Sequence, residues 1–124
     1  MRIFVSRWFQ RFAKREGIAN AALREAIVRA EKGQIDADLG SGVIKQRLAR
    51  PGQGRSAGYR TIILFRRGAR AFFMYGFSKS VRANINAAEQ RKFKEAAGFV
   101  LSLSDKQLVG FVRRGDFVEV SSNE

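Results

Sequence analysis

The spacing of apolar residues divides the chain into a helical beginning, an extended middle and a helical end. Ile3, Phe4 and Val5 predict a short strand over residues 2–5. Trp8, Phe9, Phe12 and Ala13 then mark the buried side of a first helix, which Lys14, Arg15 and Gly17 close with a left-handed stop. Asn20 is placed to cap a second helix whose Leu23, Ala26, Ile27 and Ala30 follow the i, i+3, i+4, i+7 pattern up to Gly33. The two helices form a hairpin. Its outer face carries Arg24, Glu25, Arg29, Glu31 and Lys32, the mixed signs of ordinary solvent contact.

From Val43 the period shortens to two. Residues 43–49, 59–65 and 71–77 read as three strands, the last two joined by the tight turn Arg66-Arg67-Gly68-Ala69 and the first two by the long Gly-rich segment 50–58. In the first of these strands Lys45 and Arg47 share one face, and Ile44, Gln46 and Leu48 the other. Asn86-Ala87-Ala88-Glu89 reads as a capping box opening a third helix with Phe93, Ala96, Ala97 and Val100 inward. Ser104-Asp105-Lys106-Gln107 opens a fourth, built on Leu108, Phe111 and Val112, and residues 117–120 supply an edge strand or a loose tail. The expected fold is α+β: a small, antiparallel-dominated sheet packed against an N-terminal helical hairpin and C-terminal helices, in one domain over residues 1–124.

Charge changes the picture. Between Leu39 and Ala88 stand ten cations, Lys45, Arg47, Arg50, Arg55, Arg60, Arg66, Arg67, Arg70, Lys79 and Arg82, without one Asp or Glu, in a chain of net charge +13. A surface built from that stretch needs an anionic partner, and nucleic acid is the leading candidate. The hydrophobic fraction of 45% and eleven Phe are enough for a core, so disorder is not expected. There is no signal-peptide pattern and no apolar run of membrane-spanning length, which points to a cytoplasmic protein without a membrane partner.

The chain has no His and no Cys. Imidazole bases, thiol nucleophiles and the usual His or Cys metal sites are therefore excluded, and no metal or cofactor is expected. Any catalysis must draw on Lys, Arg, Tyr, Ser or the few acids. Gly52-Gln53-Gly54-Arg55-Ser56 lacks the Gly-Lys-Ser/Thr ending and the following helix of a phosphate-binding P-loop. Its glycines suit close approach to a polynucleotide, with Arg50 and Arg55 as phosphate contacts.

Three runs carry a family resemblance: Asp38-Leu39-Gly40-Ser41-Gly42-Val43-Ile44-Lys45, the segment from Arg50 to Gly58-Tyr59-Arg60, and Tyr75-Gly76-Phe77-Ser78-Lys79. The chain resembles the RelE/ParE superfamily of toxins from type II toxin-antitoxin systems, in particular its RelE/HigB-like branch, over roughly residues 1–113. The resemblance implies a ribosome-dependent endoribonuclease, an mRNA interferase that cuts without a metal and so inhibits translation. In that mechanism the RNA 2′-hydroxyl attacks the adjacent phosphate. It also implies a cognate antitoxin, often DNA-binding and encoded alongside, as partner besides ribosome and mRNA.

By position, Lys45 and Arg47 match the paired basic strand residues, Arg60 the Gly-Tyr-Arg arginine and Lys79 the cation after the last strand; these four are the expected catalytic set. Like charges around Lys45 disfavour its ammonium form and suit it to act as base, while Arg47 and Arg60 clamp the phosphate and Lys79 serves the departing 5′-oxygen. Arg50, Arg55, Arg66 and Arg82 are expected RNA contacts. Tyr59 and Phe77 are either base-stacking residues or core. Two features depart from relatives: Lys79 stands where several have Arg, and no aromatic occurs in Ser80-Val81-Arg82-Ala83-Asn84-Ile85, where Arg82 is the available substitute. The alternatives are a ParE-like gyrase poison and a nonenzymatic nucleic-acid-binding protein.

Overall fold

The computed structural model describes residues 1–49 and 58–121. In chain order the elements are β1 (Arg2–Ser6), α1 (Arg7–Glu16), α2 (Asn20–Glu31), β2 (Ala37–Gly40), β3 (Val43–Leu48), β4 (Tyr59–Arg66), β5 (Arg70–Ser78), α3 (Ala87–Val100), α4 (Asp105–Arg113) and β6 (Phe117–Glu119). The fold is α+β, with the six strands in one mixed sheet of order β2-β3-β4-β5-β1-β6. Among the described residues only β1 and β5 run parallel, and the other pairings are antiparallel.

Each face of the sheet carries its own core. On one side α1 and α2 bring Phe9, Phe12, Leu23 and Ile27 against Ile44, Leu48, Ile63 and Phe73. On the other, α3 and α4 bring Ala97, Val100 and Leu108 against Phe4, Val43, Ile62, Leu64 and Phe72. Phe4 and Phe72 are fully buried and stack at 4.9 Å, and burying each such ring contributes roughly 1.5–3 kcal/mol. Covering both faces explains why β4 and the middle of β5 are apolar without alternation.

The helix boundaries follow from local chemistry. Gly17 and Gly33 adopt φ of 70° and 82°, the left-handed conformation the sequence required of them, and both expected capping boxes, Asn86 with Glu89 and Ser104 with Gln107, are formed. Ser6 caps α1 by accepting from the Phe9 N–H at 3.1 Å. Asn20 is not a cap: it is the first residue of α2, and the capping position falls on Ala19, which has no side-chain cap bond. Trp8 is not core either. It remains 43% exposed because it projects beside Tyr75 at the margin of the sheet.

The outer face of the helical hairpin is less idle than its composition suggests. Arg29 donates to the Arg47 carbonyl at 2.7 Å and pairs with Glu25, Arg24 donates to the Ser121 carbonyl, and Glu31 accepts from the Gly68 N–H. Residues 117–119, left open between strand and tail, form β6 and pair with β1.

Candidate functional site

Lys45 and Arg47 project from β3 on the α3 side of the sheet because Gln46, between them, is locked inward. Gln46 is fully buried, donates to the carbonyls of Ala26 and Gln34 at 3.0 and 3.2 Å, and accepts from the Asp36 N–H at 2.8 Å. Beyond Lys45 the strand β2 no longer covers β3, and side chains replace it. The Asp36 carboxylate accepts the Arg47 N–H at 2.6 Å while Arg29 donates to the Arg47 carbonyl. The backbone of Arg47 is thus gripped on both of its polar groups, and its side chain is left exposed.

Register then builds the rest of the face. Arg47 lies directly opposite Arg60, Arg60 opposite Phe77, and Lys45 opposite Ile62. Two arginines at directly opposed positions repel, so the sheet itself gains nothing from this pairing. Arg60 is half-buried and its Nη1 is buried without a hydrogen-bond partner among the described residues. A guanidinium N–H removed from water and left unpaired is costly, and an anionic oxygen is the group it lacks.

A β-bulge decides what stands beside the arginines. Between Ile62 and Ile63 the register shifts so that Ile62 faces Tyr75 but Ile63 faces Phe73, with Met74 as the extra residue. The bulge reverses the alternation along β5: Phe73 packs with α1 and α2, whereas Tyr75 and Phe77 pack with the α3 side.

The segment after β5 folds back over this end of the sheet. Lys45 Nζ donates to Asn84 Oδ1 at 3.2 Å, and the same oxygen accepts from the Ile85 N–H. Arg82 holds the segment to α3 through two contacts with Glu89 at 2.7 and 3.0 Å, and it also donates to the Tyr75 hydroxyl and the Asn84 carbonyl at 3.0 Å each. Its guanidinium lies over the rings of Tyr75 and Phe77. The Arg82 hydrogen bond, seconded by the Asn86 N–H, holds the Glu89 carboxyl down to about 2, and the same pair raises Arg82 above its ordinary value.

Because the folded-state value of Glu89 lies below its unfolded value, this tether contributes fully above the ordinary carboxylate range and is lost as pH falls towards 2. The protection factors of the Asn84 and Ile85 amides, taken relative to their intrinsic exchange rates, should therefore stay constant from pH 7 to 5 and fall progressively below about pH 4.5. Glu89→Gln should remove that pH dependence. Protection factors that do not fall below about pH 4.5 in the unmodified chain would refute the tether.

The expected residues are thus only partly assembled. Lys45, Arg47 and Arg60 share one face, and Lys79 is exposed immediately after β5. Arg66 closes β4 six residues beyond Arg60, about 20 Å along the strand, and lies at the opposite end of the sheet. Arg82 is engaged by Glu89 and Tyr75. Tyr59 is core, 2% exposed on the α1 side with its hydroxyl donating to Glu16 at 3.0 Å, and Phe77 is core at 4%. Arg50, Arg55 and the glycines Gly52 and Gly54 fall outside the described residues. The stretch rich in cations is also less free of counter-ions than its sequence implied, since Asp105 on α4 pairs with Arg70 and Glu89, just beyond the stretch on α3, pairs with Arg82. Asn84, Tyr75 and Glu89 are the site's unforeseen members.

A family model described as the RelE toxin of the RelE/RelB toxin-antitoxin system matches residues 1–120. The chain belongs to the RelE toxin family. It is thereby the toxin member of a toxin-antitoxin pair, with a cognate antitoxin as partner. No curated protein and no solved structure matches the chain. Among the described residues, no helix of this RelE-family toxin is long and apolar enough to cross a membrane.

Proposed function

We propose that this RelE-family toxin is a ribosome-dependent, metal-independent endoribonuclease that cuts mRNA in the cytoplasm by attack of the 2′-hydroxyl on its own neighbouring phosphate. One observation carries the reading: Arg60 holds a buried, unpaired guanidinium nitrogen directly across the ladder from Arg47, with Lys45 on the same face. A bridging phosphate satisfies the first and neutralises the second. In the reaction, the amine form of Lys45 takes the 2′-hydroxyl proton as the 2′-oxygen bonds to phosphorus. Arg47 and Arg60 stabilise the equatorial oxygens as charge builds there, and Lys79 gives a proton to the 5′-oxygen as its bond to phosphorus breaks. Asn84 is a positioning residue, because it aims Lys45 through its side-chain oxygen.

The mechanism fixes the products. Programmed ribosomes with purified toxin should yield a 2′,3′-cyclic phosphate and a 5′-hydroxyl, and one 2′-deoxynucleotide at the cut position should abolish cleavage while leaving binding unchanged. An RNA so substituted that is still cut at the same place would overturn the reading. Intact mRNA accompanied by gyrase-linked DNA breaks would replace it with the ParE-like activity.

A further inference from the structure

We infer that the cavity between α1 and the end of β5 is a nucleobase pocket selective for guanine. The inference rests on the RNA-cutting reading above and adds a base-recognition site to it. β1 pairs with β5 only from Arg70 to Phe73, so the remaining edge of β5 has no strand beside it, and α1 stands there instead. The space left is about 260 Å³, enough for one purine, with walls that include Trp8, Phe12, Glu16, Tyr75, Ser80 and Arg82.

Its chemistry is that of base recognition. Trp8 stacks on Phe12 at 5.3 Å and lies 4.6 Å from Tyr75, yet remains 43% exposed, so an indole face is held rigidly at the mouth. Gly76 is required there, because a Cβ at that position would lie 2.6 Å from Phe12. Stacking of this kind accepts any base. Glu16 makes the pocket selective. Its carboxylate, about a quarter exposed, accepts from the Tyr59 hydroxyl at 3.0 Å and from Arg15 at 3.3 Å, which keeps it oriented with lone pairs to spare. Among the four bases only guanine offers two adjacent N–H donors, N1 and N2, to match two carboxylate oxygens. The pocket also adjoins the cleavage face: Phe77, one of its walls, is the cross-strand neighbour of Arg60. An extended peptide along the open edge of β5 is the other chemistry that fits, but it would have no use for an exposed indole and a carboxylate lining the same cavity.

Trp8 is the chain's single tryptophan, so its fluorescence reports the pocket directly. Titration with 5′-GMP, 5′-AMP, 5′-CMP and 5′-UMP, with ribose 5-phosphate as control, should give saturable quenching strongest for GMP and none for the sugar phosphate. Glu16→Gln, which keeps an acceptor for Tyr59, should reduce the preference for GMP over UMP by about tenfold. Ser80→Phe, filling the mouth from an exposed position, should abolish quenching without touching Glu16. Equal quenching by all four nucleotides, a preference unchanged in Glu16→Gln, or quenching by an antitoxin peptide but by no nucleotide would each overturn the inference. The two readings separate cleanly. GMP-selective quenching in a toxin that leaves mRNA intact keeps the pocket and sinks the nuclease, and cleavage without quenching does the reverse.

Discussion

Replacing Arg60 by methionine should lower mRNA cleavage by at least about a hundredfold, the scale of losing one preorganised donor to a charged transition state, while raising the thermal midpoint. Both effects have one cause. In the free protein Arg60 Nη1 is buried without a partner among the described residues, and the side chain stands across from Arg47. Removing an opposed like charge relieves a few tenths of a kcal/mol or more, and removing an unsatisfied donor relieves on the order of 1 kcal/mol. Methionine keeps an apolar stem against Phe77, so the packing is retained. For a chain of this size the net gain corresponds to about 4 °C. Thermal melts and primer extension on the same preparations check it. A midpoint that falls by several degrees would make Arg60 a structural residue and remove the central support for the proposed activity.

Gln46→Ala should have the opposite profile, costing roughly 3 kcal/mol of stability through a cavity and three abandoned hydrogen bonds. The amide ties β3 to the Ala26 carbonyl on α2 and to both the Gln34 carbonyl and the Asp36 N–H in the segment that follows it. That is equivalent to a fall of about 12 °C in the midpoint. Urea denaturation should show a lower transition with an unchanged slope. Activity at low temperature should fall as well, because the grip on Arg47 by Arg29 and Asp36 depends on the same segment lying where Gln46 holds it. A midpoint within a degree of the parent would mean that water takes over all three bonds.

The helices were legible because their signals are local. Gly17, Gly33 and the two capping boxes each act within one turn, and period-two alternation in Val43–Leu48 is enough to place Lys45 and Arg47 on one face. What was not legible depends on residues far apart in the chain. β2 is four residues, Ala-Asp-Leu-Gly, with little strand propensity of its own, and exists because β3 offers it an edge. The bulge at Met74 leaves no mark in an apolar run, yet it alone sends Tyr75 and Phe77 to the side of Arg60. The absence of acids between Leu39 and Ala88 is a fact of sequence, whereas neutralisation is a fact of space: Asp105 and Glu89 arrive from α4 and α3. Trp8 sits at a helical spacing shared with true core residues, and only the end of β1 at Ser6 leaves it uncovered.

The parallel pairing of β1 with β5 sets the order in which this protein can be made. Arg2–Ser6 is separated from its partner Arg70–Phe73 by both helices of the hairpin and three further strands, and from β6, on its other side, by α3 and α4 as well. Until Phe72 is made, Phe4 lacks the ring against which it is fully buried. Closing so long a loop around a central strand is the slow, entropically expensive kind of step. The two helical layers therefore cannot share a single sheet until Arg70–Phe73 has been made, and a nascent toxin interrupted before Arg70 holds an apolar strand without its partner in place of a finished fold.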